Sequence, residues 1–204
     1  MSFRKEEKLN IHRGQLIDLK NWINENSGYK LYESRIVSST YLDNSSMQMF
    51  NDSEEGCVPR KKIRIRSYSK EEHQEGSSVL ETKISSVEGR YKTQSQSFEL
   101  KKILKNGFLD KDYGICWPKV RVTYNRDYYK IHQVRLTIDT QLEYTRLNSH
   151  GKGVYKSHDE DIVVEIKASD DVPIEYLFRK FHFERVRFSK YSKAINSFLE
   201  FSNV

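Results

Sequence analysis

Cysteine, proline and long apolar stretches are scarce in this chain of 204 residues, and each scarcity removes a class of protein. Cys57 and Cys116 are the only cysteines, and they form no CxxC pair. Two thiolates cannot complete a zinc tetrahedron without nearby histidines. The six histidines (His12, His73, His132, His150, His158, His182) are scattered without ligand spacing. They read as surface or packing residues, and the cysteines as free thiols in a reducing cytosol. The opening MSFRKEEKLN has no apolar signal core, and no run approaches the roughly 20 apolar residues that span a bilayer. A cytoplasmic protein with no membrane segment of its own is expected, and attachment through a membrane partner stays open. With only 3 prolines and 9 glycines there is no low-complexity tract, internal repeat or clear linker. Residues 1–204 are therefore expected to form a single domain. Walker P-loop, GxGxxG and GxSxG motifs are absent as well, which removes the common nucleotide-cradle and serine-hydrolase signatures.

What is present is charge and aromatic character. Charged residues make up 31% and hydrophobic residues 36%, with a mean hydropathy of -0.79. Aromatic content of 12%, from 13 Tyr and 10 Phe beside the tryptophans, argues against disorder. Val, Ile, Tyr and Thr recur in short runs, which favours strands. The net charge of +6, from 35 basic and 29 acidic residues, fits an anionic partner without identifying it. Nucleic acid, phosphate-rich metabolites and anionic lipid all fit at this level.

Strands are predicted over 3–9, 35–43, 61–69, 78–85, 118–131, 133–140, 142–148, 153–157 and 161–168. Helices are predicted over 11–25, 98–106 and 189–201, and from Pro173 over 173–183. Gly107 should end the helix before it. Residues 44–59 read as loop with a short helix near Met47–Phe50, 70–77 as a loose hairpin connection, and 86–97 as a polar, flexible stretch. Strand, helix, many strands, helix is an α+β order dominated by antiparallel sheet.

The strands share an uncommon pattern. Arg64 and Arg66 lie on one face, opposite Ile63 and Ile65. Glu81 and Lys83 oppose Leu80, Thr82 and Ile84. Arg135, Thr137 and Asp139 oppose Leu136 and Ile138. Glu165 and Lys167 oppose Val164, Ile166 and Ala168, while Arg4, Glu6 and Lys8 share a face at the N-terminus. One such strand is an ordinary solvated edge. Several together, with both signs of charge, suggest a sheet curled around a charged interior, as an eight-stranded barrel can be. So many ions require a wet or ligand-filled lumen. Arginine suits bidentate phosphate contact and lysine point-charge contact. A glutamate among them would repel phosphate unless it holds a cation such as Mg²⁺ or Mn²⁺. Ser189 before Lys190 reads as the cap of the last helix rather than as a nucleophile.

These motifs run in a fixed order: Arg4-x-Glu6-x-Lys8, Ser39-Thr40-Tyr41-Leu42-Asp43-Asn44, Arg64-x-Arg66, Glu81-x-Lys83, Tyr124-Asn125-Arg126, Arg135-x-Thr137-x-Asp139-Thr140, Glu165-x-Lys167 and Phe188-Ser189-Lys190-Tyr191. In that order they resemble the catalytic domain of the vacuolar transporter chaperone (VTC) polyphosphate polymerases, within the triphosphate tunnel metalloenzyme superfamily. The resemblance implies an eight-stranded antiparallel tunnel, open at both ends, with a charged interior and helices packed outside. It implies that Lys8, Arg64, Arg66, Lys83, Arg126, Arg135, Lys167 and Lys190 bind triphosphate or polyphosphate. It implies that Glu165 binds Mn²⁺ or Mg²⁺, and that Tyr124, Arg187 and Ser189 make further phosphate contacts. Leu42 stands where the motif has an aromatic residue. Tyr124 and Arg126 share strand parity with Val120 and Val122, which read as outward positions, and a bulge would reconcile the two. The vacuolar proteins also carry transmembrane segments and a regulatory domain that this sequence lacks, so coupled translocation is not part of the expectation.

The expected activity is that of a metal-dependent phosphotransferase, an ATP-dependent polyphosphate polymerase with ATP and inorganic polyphosphate as its partners. One rival is a triphosphatase or polyphosphatase using the same tunnel. Another is a module that binds polyphosphate or nucleotide without turnover. Superfamily relatives hydrolyse triphosphates, cyclise ATP or cleave thiamine triphosphate, and the FSKY and YNR matches favour the polymerase branch. Nucleic acid is not an expected partner, because the aromatics show no RNP-like stacking pattern and the charged face holds too many acids.

Overall fold

A computed structural model of the protein describes residues 4–69, 78–95, 100–174 and 184–199. The strands are β1 (Arg4–Ile11), β2 (Tyr29–Asp43), β3 (Arg60–Ser69), β4 (Ser78–Ser86), β5 (Gly89–Ser95), β6 (Phe108–Asp110), β7 (Gly114–Ile131), β8 (Val134–Leu147), β9 (Gly153–Asp159), β10 (Ile162–Ser169) and β11 (Glu184–Arg185). The helices are α1 (Arg13–Glu25), α2 (Gln48–Glu55), α3 (Leu100–Asn106) and α4 (Lys190–Leu199). The predicted connection over 70–77 and most of the predicted helix over 173–183 lie outside the described residues.

Two compact units divide the chain. The first comprises Met1–Ile36, Tyr124–Leu142 and Asp159–Phe188. Its strand order is β11-β1-β10-β8, continued by β7 and β2, and the β1–β10 and β10–β8 ladders are antiparallel. One face of this sheet is apolar. Leu9, Ile11, Ile131, Leu136, Ile138, Val164 and Ile166 meet Leu19, Trp22 and Ile23 of α1 there in one buried cluster. Helix α1 begins with a capping box, in which His12 Nδ1 accepts from Gln15 N and Gln15 Oε1 accepts from His12 N. Past its end the chain turns at Gly28, where a Cβ would lie 2.6 Å from Ile23 Cγ2 and 2.9 Å from Ile131 Cγ1. Only glycine lets the backbone pass so close to both.

The second unit comprises Val37–Thr123, Glu143–His158 and Ser189–Val204. It carries the antiparallel β3–β4–β5 meander, with β6 on β7 and β9 on β8. Its apolar cluster joins Leu42, Ile63, Ile65, Leu80 and Cys116 to Met49 of α2 and Ile103 of α3. Asp43 ends β2 and anchors both α2 and α4. Its carboxylate accepts from the backbone N–H of Met49 and Phe50 in the first turn of α2 (3.0 and 2.9 Å) and from Tyr191 OH of α4 (2.6 Å).

The expected α+β class with a dominant antiparallel sheet is borne out, with two local revisions. The stretch 86–97, read as flexible, contains β5, because backbone pairing to β4 holds a strand whose polar side chains give no period-2 signal. The strands read as 133–140 and 142–148 are the single β8. The break between them is Gln141 alone, at φ 55°, a left-handed residue within a strand. Gly107, at φ 74°, ends α3 as expected. Among the described residues no helix is long and apolar enough to cross a membrane.

Candidate functional site

In the first unit the charged residues occupy the sheet face opposite α1. Antiparallel register lays them in rows: Lys8 opposite Glu165 opposite Thr137, and Glu6 opposite Lys167 opposite Arg135. Lys167 Nζ lies 3.1 Å from Glu165 Oε1 and 3.7 Å from Glu6 Oε2. Arg126 grips Asp139 with both Nε (2.5 Å) and Nη2 (2.7 Å), and its Nη2 is 3.8 Å from Glu165 Oε2. Asp139 is 0% exposed, so this fork-on-carboxylate pair is buried, where hydrogen-bonded geometry matters most. Arg126 also lies 5.2 Å from the Tyr124 ring centroid, and Arg135 5.7 Å from that of Tyr128. Tyr124, Arg126 and Tyr128 thus share the charged side, while Tyr129 and Ile131 enter the apolar cluster. Even- and odd-numbered side chains take opposite faces from 124 to 131. Lys8 Nζ donates to the Phe188 carbonyl at 2.8 Å, and Arg187 is exposed beside it.

Two carboxyls meet in this patch. Burial raises the pKa of Glu6, and its hydrogen bond to Glu165 raises it further. Burial also opposes charge on Glu165, but the bond from Glu6, with Lys167, Arg126 and Lys8, holds it well below the usual range. The two carboxyls thus lie together where a cation could sit. Thr137 Oγ1, opposite Glu165 in register, is buried without a hydrogen-bond partner among the described residues. Among the described residues no group of three His, Cys, Asp or Glu is placed to hold a metal. Two hard carboxylates fit Mg²⁺ or Mn²⁺ on one condition: phosphate oxygens and water must complete the shell, as is usual for these ions. Glu6 was visible in the sequence as a strand-face neighbour of Lys8, but its pairing with Glu165 needed the β1–β10 register.

In the second unit Glu81, 1% exposed, is the hub. Its Oε2 accepts from Arg64 Nε (2.7 Å) and Nη2 (2.5 Å) and lies 3.6 Å from Arg66 Nη1. Its Oε1 accepts from Lys92 Nζ (2.7 Å) and Gln94 Nε2 (2.8 Å). Arg66 Nε donates to Ser39 Oγ (3.1 Å), and Arg64 Nη1 to Tyr41 OH (3.3 Å). Lys62 Nζ donates to Ser189 Oγ at 2.7 Å. Ser189 Oγ also accepts from Ser192 N at 3.3 Å, so it caps α4 as expected. Lys190 opens that helix and Lys83 is exposed on β4.

The predicted site residues thus fall in two patches. Lys8, Tyr124, Arg126, Arg135, Glu165, Lys167 and Arg187 belong to the first unit, and Arg64, Arg66, Lys83, Ser189 and Lys190 to the second. Sequence reasoning missed Lys62, Lys92 and Gln94. Lys62 shares the parity of Arg64 and could have been found, but β5 offered no pattern to place Lys92 or Gln94.

The family model described as the VTC domain matches residues 3–115 and 111–199. Among solved structures, a Vibrio parahaemolyticus protein described as a "putative adenylate cyclase" superposes with a TM-score of 0.58 at 14% identity, covering 96% of this chain and 98% of that one. At that identity the likeness is one of fold. No curated protein matches the chain.

Proposed function

Since this chain belongs to the VTC domain family, we propose that it is a metal-dependent phosphotransferase that extends inorganic polyphosphate with the γ-phosphate of ATP. The observation that carries this reading is the row of Glu165, Glu6, Lys8, Lys167, Arg126 and Arg135 on the face opposite the apolar core. Glu165 and Glu6 would hold Mn²⁺ or Mg²⁺, which supplies charge neutralisation on the triphosphate. The cations of this row bind and orient phosphate oxygens, and Arg64, Arg66, Lys83 and Lys190 form a phosphate-binding patch within the second unit. In the reaction the bond from the γ-phosphorus to the β–γ bridging oxygen breaks. A bond forms from that phosphorus to a terminal chain oxygen, and ADP leaves. No side-chain nucleophile is needed, because positioning and charge stabilisation suffice for phosphoryl transfer.

The rival is transfer of the same phosphoryl group to water. Phosphorus NMR of products from ATP with Mn²⁺ or Mg²⁺ separates the two. Intermediate-chain phosphate resonances with ADP support the polymerase, whereas ADP with free phosphate alone makes it a hydrolase. Binding of tripolyphosphate without turnover would leave a binding module.

A further inference from the structure

The second unit holds a cleft that none of the residues assigned to phosphate lines. Its volume is about 480 Å³, within the roughly 300–1,000 Å³ of small-ligand sites. Strand β7 gives it Lys119 and Val120, β8 gives Arg146 and Leu147, α2 gives Phe50, and α4 gives Ile195 and Phe198. The apolar side chains among these are set in place by the fold. Val120, Leu147, Ile195 and Phe198 are 1–8% exposed. The Phe50 ring meets Tyr191 edge-on with centroids 6.1 Å apart, and Phe198 meets Tyr155 at 5.7 Å. Leu199, which also lines the cleft, is 51% exposed, so the apolar wall reaches solvent there.

The polar part of the lining is one-sided. None of the described residues that line the cleft is acidic, and its two charges are both positive. Among the described residues neither Lys119 nor Arg146 has an ion-pair or hydrogen-bond partner. The neutral polar side chains are engaged in their own loop: Ser46 Oγ donates to Asn44 Oδ1 (3.1 Å), and Asn51 Nδ2 donates to the Ser46 carbonyl (3.3 Å). A sugar or other neutral polar ligand would lose its water here for few hydrogen bonds. A bare phosphate chain would gain nothing from the apolar wall. A molecule that is apolar at one end and anionic at the other satisfies both parts of the lining.

We propose that this cleft binds an amphiphilic anion, an apolar body ending in a carboxylate or phosphate. The body lies against Val120, Leu147, Ile195 and Phe198, and Lys119 and Arg146 hold the head. The inference uses no residue of the phosphate-binding patches and stands or falls independently of the polymerase reading.

The test uses hexanoate, octanoate and decanoate as probes, with decanol as the uncharged comparison, titrated into the full chain by calorimetry at neutral pH. Decanoate should bind saturably at one site. Affinity should rise about fourfold per added methylene along the series, and decanol should bind roughly tenfold more weakly than decanoate, the scale of two partly exposed charge contacts. In the double variant Lys119→Met with Arg146→Met, decanoate should fall to the level of decanol while decanol itself binds as before, a pattern that misfolding would not produce. No saturable decanoate binding, or an undiminished preference for carboxylate in the double variant, overturns the proposal. Displacement of decanoate by tripolyphosphate would assign the two cations to phosphate and also overturn it. Sedimentation with phosphatidylglycerol vesicles but no binding of free decanoate would make this a membrane-facing surface and overturn the small-ligand site.

Discussion

Buried charge decides the behaviour of single residues here. Glu81 is held well below the ordinary carboxylate range: burial opposes its charge, but Arg64, Arg66 and Lys92 overcome that. A depressed folded pKa means that the unfolded chain binds the proton more readily. This stabilisation is therefore complete above about pH 4.5 and is lost as pH falls below it. Urea titrations should show wild-type stability dropping in that acid window and Glu81→Gln lacking the slope. At neutral pH Glu81→Gln leaves two buried guanidiniums short of a counter-ion, and a loss of roughly 3–5 kcal/mol is expected. Glu165→Gln should keep the fold but cut metal-dependent turnover roughly 10²–10³-fold, the scale of losing one transition-state charge partner. Near wild-type turnover in that variant would remove Glu165 from the site. Cys116 is buried with its thiol pushed up to about 11, while Cys57 is exposed. Iodoacetamide at neutral pH should modify the native protein at Cys57 alone.

Among the strands and helices, the alternation of charged and apolar residues located most strands and their faces. Ile63 and Ile65 oppose Arg64 and Arg66, and Leu136 and Ile138 oppose Thr137 and Asp139, as the period of 2 requires. Which charge meets which was not readable, because register is fixed by pairing across the ladder. Glu6 diagonal to Glu165 and Glu81 opposite Arg64 both depend on it. Strand β5 escaped because its side chains are polar throughout. Gln141 was read as a boundary although the strand continues through it; one left-handed residue interrupts the side-chain pattern without ending the ladder. Glycine adopts that conformation without the Cβ clash, so Gln141→Gly should stabilise the protein by about 0.5–1 kcal/mol. An unchanged or lowered melting temperature would contradict this. Gly28→Ala should act oppositely, since its Cβ would press on the Ile23 carbonyl at 2.7 Å.

The chain as a whole is basic, with a net charge of +6, and its cations gather on sheet faces around a few buried acids. Oligophosphate binding should therefore weaken steeply with salt. Phosphoryl transfer from ATP to a growing chain is the function proposed for those cations, and a label on the γ-phosphate follows it from donor to product. Purified protein is incubated with labelled ATP and Mn²⁺, with and without a short polyphosphate primer, and the products are resolved on a gel. A polymerase places the label in chains that lengthen with time, faster with primer, and Glu165→Gln does so roughly 10²–10³-fold more slowly. Label that appears only in free phosphate, with the primer unchanged in length, would contradict the polymerase reading.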